Sequence, residues 1–137
     1  MLERIAELER SLESERRERR RVEGLLSAER QILLALGRGD PSEEVLETLT
    51  RVIEDQLPGS QASLLLLEGD RLRRGPAPSL PGEYLELLDG LRIGPREGSC
   101  GSAAALGQSV LVEDVLEDPR WVRYLDFPRR FGFRACW

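Results

Sequence analysis

Apolar residues return at heptad spacing through the first 36 positions, and a chain so patterned is committed to a long helix that wants a partner. With heptad a at Ile5, Leu12, Arg19, Leu26 and Leu33, and d at Leu8, Glu15, Val22, Glu29 and Leu36, seven of the ten seam positions are apolar. The charged residues of this stretch are eight Arg and eight Glu, which balance. Glu15 and Arg19 break the seam near its middle and weaken it there. Two such helices side by side would bury Ile5, Leu8, Leu12, Val22, Leu26, Leu33 and Leu36, so the spacing predicts a parallel homodimer through residues 1–36. The basic run Arg16 to Arg21 has a nucleic-acid reading, but Glu is interleaved at matching density. That mixture is a solvated coiled-coil face, and no nucleic-acid partner is expected.

Punctuation then divides the chain. Gly37 and Gly39 predict the end of the helix. Asp40 is placed as the cap of a second helix, with Pro41 at its first position and Glu43 completing a capping box. Val45, Leu46, Leu49, Val52, Ile53 and Leu57 recur at three- and four-residue steps, so this helix buries one face until Pro58-Gly59 stops it. Ala62 to Leu67 is an unbroken apolar run and predicts a strand covered on both faces. Gly69-Asp70 is a two-residue turn into a more polar strand, Arg71 to Arg74. A Pro-rich loop over 75–81 precedes a short helix around Glu83 to Leu88. The alternation predicts an α+β layered fold with an antiparallel sheet.

The last third carries the functional signal. A glycine-rich turn holding one cysteine, Gly98-Ser99-Cys100-Gly101, runs into a small-residue segment at 102–106. A strand is predicted over Ser109 to Glu113, then an Asp-Pro-x-Trp corner at Asp118 to Trp121, then a strand over Phe133 to Trp137 that includes Arg-Ala-Cys-Trp. In this order the set resembles the middle of a GAF domain, a small-ligand sensory module of bacterial signalling proteins, over about residues 29–137. The resemblance implies a coiled-coil signalling helix at 1–36 and a GAF domain at 37–137, an antiparallel sheet with flanking helices. The family continues with further strands and a closing helix, so the resemblance also implies that this domain is C-terminally truncated. A gap between the hairpin at 62–74 and the strands at 109–113 and 133–137, or a rearrangement that closes it, is therefore expected.

The same resemblance implies a ligand pocket walled by 91–105, 115–127 and 133–137. Its candidate residues are Ile93, Gly98, Ser99, Cys100, Gly101, Trp121, Tyr124, Phe127 and Trp137. Each has two readings. The Gly98–Gly101 turn offers free backbone N–H groups at a helix start, suited to an anion, or it only permits tight turning. Cys100 is a redox-sensitive thiol or a packed one, and Cys136 reads as core. The aromatic residues stack on a planar ligand or fill the core. In such proteins the ligand signal passes through the coil to an output domain such as a histidine kinase or a diguanylate cyclase. A ligand-free dimerisation module is a second reading.

Composition removes whole chemistries. All 20 basic residues are Arg, and the chain has no Lys, His or Asn. There is no His base, no His-ligated zinc and no proximal His for haem, and haem or bilin binding of the family's usual kind is not expected. There is no Walker-type or Schiff-base lysine either. A GAF-fold reductase of free methionine sulfoxide carries a similar glycine-cysteine turn. No cysteine lies between Glu113 and Arg134, where that group keeps its others, so no thiol is expected to resolve oxidation at Cys100. Catalysis by this chain is not expected. The net charge of -5 falls wholly on residues 37–137, which disfavours a phosphate backbone as partner. Without a signal segment or an apolar run of spanning length, the chain reads as cytoplasmic and free of membrane contact.

Overall fold

The heptad stretch is one uninterrupted helix, α1 (Leu2–Arg38), in the computed structural model, which describes residues 1–137. Gly37 lies inside it, and Gly39 alone ends it, with φ 73 in the left-handed region. Gly39 N–H reaches Leu36 O at 3.1 Å and Asp40 N–H reaches Ala35 O at 3.0 Å. That pair of bonds is a Schellman end, which favours glycine at this one position.

The predicted capping box does not form. The second helix, α2 (Ser42–Gln56), has Pro41 at its cap position and no side-chain cap bond. Asp40 is taken instead by Arg38, whose Nη2 lies 2.8 Å from Oδ2. That bond holds the Asp40 carboxyl below its ordinary pKa. A carboxylate gains more from a guanidinium two residues away than from one backbone N–H.

Two compact units, Met1–Ala62 and Ser63–Trp137, make up the chain. In the first, α1 meets α2 through small residues. Ala28 and Ala35 are buried on α1, and Val45 and Thr50 on α2. A Cβ on Gly24 would stand 2.6 Å from Gln56 Nε2, so the Gln56 side chain lies across α1 there. The buried Thr50 hydroxyl donates to Glu47 O at 2.8 Å, which satisfies it inside its own helix. At roughly 100° per residue, Leu26 and Leu33 sit on the side of α1 opposite Gly24, Ala28 and Ala35. The seven seam residues are 46–60% exposed in this single chain.

In the second unit β1 (Leu65–Glu68) and β2 (Arg71–Arg74) form an antiparallel hairpin, with Leu67 opposite Leu72. Gly69 carries the positive φ the tight turn needs. The strand begins at Leu65 rather than Ala62, and it is not covered on both faces: Leu66 and Leu67 are about half exposed. An unbroken apolar run implies two covering layers, and this hairpin has one buried side chain, Leu72. After α3 (Gly82–Leu88) the chain returns along β2, exchanging 2.7 Å bonds between Leu72 and the backbone of Gly90 and Leu91. The free edge of β1 pairs with no strand, and the 109–113 and 133–137 segments stand apart from the hairpin's sheet.

Those two segments, expected as strands, shrink to a single bridge between Val112 and Cys136. Val112 and Cys136 exchange bonds of 2.8 and 3.0 Å, but the next bond runs from Val115 N–H to Arg134 O. Three steps on one side match two on the other, so an extra residue bulges out and the ladder stops. Asp114 pins the bulge by accepting from Leu116 N–H at 3.0 Å and pairing with the Arg134 guanidinium. Two short helices were not foreseen: the 3-10 helix η1 (Pro119–Tyr124) and α5 (Asp126–Phe131). Asp118 caps η1 by accepting from Arg120 N–H at 2.9 Å, with Pro119 at the first position.

Candidate functional site

The glycine-rich turn becomes the first turn of α4 (Gly98–Leu106), entered through Gly98 at φ 64. No side chain caps this helix. A Cβ on Gly98 would come within 3.9 Å of the Trp121 and Tyr124 rings, so these aromatics close directly over the turn. Ser99 is buried and accepts a 3.1 Å bond from the indole N–H of Trp121. Gly101 packs against the Arg92–Glu97 loop, beside Ile93. Gly94 N–H donates to Gly101 O at 3.2 Å from the same loop.

Below the turn lies a core of Val110, Val112, Val115 and Trp121, with Ala103, Tyr124, Phe127, Phe133 and Cys136 packed against it. The rings meet edge to face. Trp121 contacts Phe133 at 5.5 Å between centroids, and Tyr84 contacts Phe127, Phe131 and Phe133 at 5.9, 5.1 and 5.7 Å. T-shaped pairs of this kind stabilise each other beyond their area alone. The Tyr124 hydroxyl donates to the Glu97 carboxylate, which also accepts from Arg123 Nη1 at 2.8 Å. Burial, and then that bond to Glu97, push the Tyr124 phenol up to about 12. Burial raises Tyr84 further, with the two nearby thiols adding to it.

Seven of the nine sequence-predicted pocket residues lie at the start of α4 or against it, Ile93, Gly98, Ser99, Cys100, Gly101, Trp121 and Tyr124, while Phe127 packs on the Tyr84 and Tyr124 rings. Trp137 does not join the ring contacts and is 68% exposed. The open groove of the first unit, lined by Gln31, Leu34, Ala35 and Thr48 among others, holds none of these residues. Tyr84 and Glu97 are members that the sequence reading missed. Tyr84 had a signal in its four-residue spacing from the buried Leu88 on one face of α3. Glu97 had none, because its role depends on the approach of Tyr124 from 27 residues away. The Ser102 hydroxyl is fully buried in α4 with no hydrogen-bond partner.

Cys136, although remote in sequence, comes near enough to Cys100 for each thiol to act on the other's titration. The bridge pairs Cys136 with Val112, a long-range contact that linear spacing does not show. The Cys136 thiol beside it pushes the Cys100 thiol up. Cys136 is lowered to about 7, first by the Cys100 thiol, against the cost of burial, with Ser99 helping. No group of three or more His, Cys, Asp or Glu side chains is placed to hold a metal ion. No helix is long and apolar enough to cross a membrane.

The family model of the GAF domain matches residues 41–137, more than half of the chain. The chain belongs to the GAF domain family. The methyl sulfide methyltransferase-associated sensor of Methanosarcina acetivorans is 29% identical over 122 residues, which is 88% of this chain and 12% of that protein. This chain thus spans about an eighth of the relative's length. No solved structure matches. The GAF match opens at Pro41, immediately before α2, so α1 precedes it. Gly98–Gly101, the Val112–Cys136 bridge and the aromatic cluster all fall within the GAF domain.

Proposed function

We propose that this chain is a regulatory sensory module in which the GAF domain takes a small ligand and α1 carries the signal through a homodimeric coil. The supporting observation is the GAF match over 41–137, joined to a relative that is named a sensor and aligns along most of the chain. The ligand would sit at the start of α4, where Gly98, Ser99, Trp121 and Tyr124 converge and where the unpartnered Ser102 hydroxyl would gain a bond. A ligand there would shift the packing of α4 and its aromatic lid. The output domain is read as a histidine kinase or a diguanylate cyclase elsewhere in a longer protein, and the setting as the bacterial cytoplasm. Membrane and nucleic acid are not partners in this reading, haem and bilin are not its cofactors, and the GAF domain itself is not an enzyme. A panel of nucleotides, amino acids and organic acids, screened by thermal shift on the full chain, should yield at least one that raises the melting temperature. A binder at 100 times its Kd adds about 2.7 kcal/mol. If none shifts it, the chain is a ligand-free dimerisation module instead.

The coil carries its own test. The leucine face of α1 lies away from α2 and is uncovered in one chain, and a second copy in parallel would bury it. Analytical ultracentrifugation should show a dimer at micromolar concentration, and Leu26→Asp should turn it into a monomer. A wild-type chain that stays monomeric at high micromolar concentration defeats this part of the reading.

A further inference from the structure

We propose that the Tyr124 side chain is a gate over the start of α4 and that the Glu97 carboxylate is the latch that holds it shut. The two rings over the glycine turn are held in different ways. Trp121 is buried, and it packs on Phe133 and the valine core. Tyr124 is half buried and stands at the last position of η1. Its ring lies edge-on to Trp121 at 6.5 Å and to Phe127 at 5.7 Å between centroids. Both Trp121 and Tyr124 come within 3.9 Å of a Cβ placed on Gly98, and the Trp121 atoms nearest to it include the carbon bonded to the indole nitrogen. The Tyr124 ring therefore shares the cover of Gly98 with the indole edge that bonds to Ser99. Turned outward about its own side-chain bonds, it leaves Trp121 in the core and opens the first turn of α4, where Gly98 and Ser99 are buried.

The latch is built into the loop that leads to α4. The stem of Glu97 runs between two glycines: a Cβ on Gly94 would stand 2.9 Å from Glu97 Cγ, and one on Gly101 would stand 2.8 Å from Glu97 Cβ. Gly94 N–H donates to Gly101 O at 3.2 Å, which ties those glycines together. A stem so confined has little rotamer freedom left to lose, so its carboxylate is already in place as an acceptor. One oxygen accepts from the Tyr124 hydroxyl and the other from Arg123 Nη1 at 2.8 Å. The Glu97 side chain is sheltered, and that of Arg123 is largely exposed. An exposed guanidinium contributes little to such a pair, whereas a hydroxyl on a sheltered carboxylate makes one of the stronger hydrogen bonds. The Tyr124 bond is thus the one that sets how often the gate opens. That the gate admits a ligand rests on the proposed function. The gate itself belongs to the unliganded chain and is tested without a ligand, so a failed ligand screen and a failed gate are separate results.

The chain has two tryptophans, so hydrogen exchange at two indole N–H groups can be followed by NMR on the full chain. Trp137 is exposed and serves as the freely exchanging reference. The amides of Val112 and Val115, which donate to Cys136 O and Arg134 O, report any opening of the core as a whole. Tyr124→Phe keeps the ring and removes the hydroxyl, and should speed exchange at the Trp121 indole by roughly tenfold, the weight of one hydrogen bond to a charged group. Glu97→Gln keeps the stem and weakens the acceptor, and should speed it several-fold. The Val112 and Val115 amides should change by less than about twofold in both. The double variant should be no faster than the faster single one, because both changes act on the same bond. The proposal is overturned if the Trp121 indole keeps its wild-type rate in either single variant, or if the valine amides accelerate with it. It is overturned equally if the two effects multiply in the double variant.

Discussion

Replacing Trp121 with alanine is expected to destabilise the Ser63–Trp137 unit by about 3–5 kcal/mol, the range for emptying a buried aromatic site. Trp121 is only 4% exposed and belongs to the one core cluster of buried side chains that includes Val110, Val112 and Val115. Its loss removes ring contacts to Phe133 and Tyr124. The Ser99 hydroxyl, buried at the start of α4, loses its donor as well. A group left without its partner in the interior adds its own desolvation cost to the cavity. Few alternative side chains can collapse into the space, because Tyr124 is already held by Glu97. Domains of this size hold only about 5–15 kcal/mol in total, so the variant stands close to unfolding. Urea denaturation of the full chain, followed by far-ultraviolet circular dichroism, measures the change. A loss of less than about 1 kcal/mol, the typical effect of an ordinary point substitution, would mean that Trp121 is not the centre of this core.

The sequence was most legible where the signal is local and periodic. The heptads over 1–36 and the three- and four-residue steps from Val45 to Leu57 place α1 and α2 within two residues at most ends. Arg71–Arg74 and the Gly69 turn follow from turn chemistry alone. Legibility fails where a residue has two possible partners. Asp40 has the right identity and place for a cap, but Arg38 competes for the same carboxylate and wins. It fails again where the partner is remote. The strands at 109–113 and 133–137 have suitable composition, but their ladder depends on register, and one extra residue at Glu113–Asp114 ends it after a single bridge. The candidate pocket residues could be named only as a group, because the resemblance points to a region and not to contacts. Their packing into a ring cluster, with Tyr84 at its hub, comes from contacts up to 49 residues apart that no window in the sequence contains.

Gly101 gives the second large effect, and it tests how tightly α4 is seated. Its φ is ordinary, so no backbone strain separates glycine from other residues there. Space does. A Cβ at Gly101 would lie 2.8 Å from Glu97 Cβ and 3.1 Å from the carbonyl oxygen of Arg92. The second contact is backbone, and the first is the stem of a side chain fixed by Arg123 and Tyr124. Neither can swing aside as a flexible chain end would. Alanine at a helix interior normally gains about 0.5–1 kcal/mol over glycine, so Gly101→Ala sets that gain against the clash. Gly101→Val adds that Cβ and two methyl groups with little propensity gain, and should cost about 2–3 kcal/mol through overpacking. The gathering of Gly98, Ser99 and Trp121 should loosen with it. Gly37 is the control: it lies inside α1, and a Cβ there meets nothing within 4 Å. Gly37→Ala should therefore stabilise by up to about 1 kcal/mol. Thermal melts of the two variants should move in opposite directions from wild type. If Gly101→Val melts with the wild type, α4 does not rest on the Arg92–Glu97 loop, and the close approach that builds the candidate site is absent in solution.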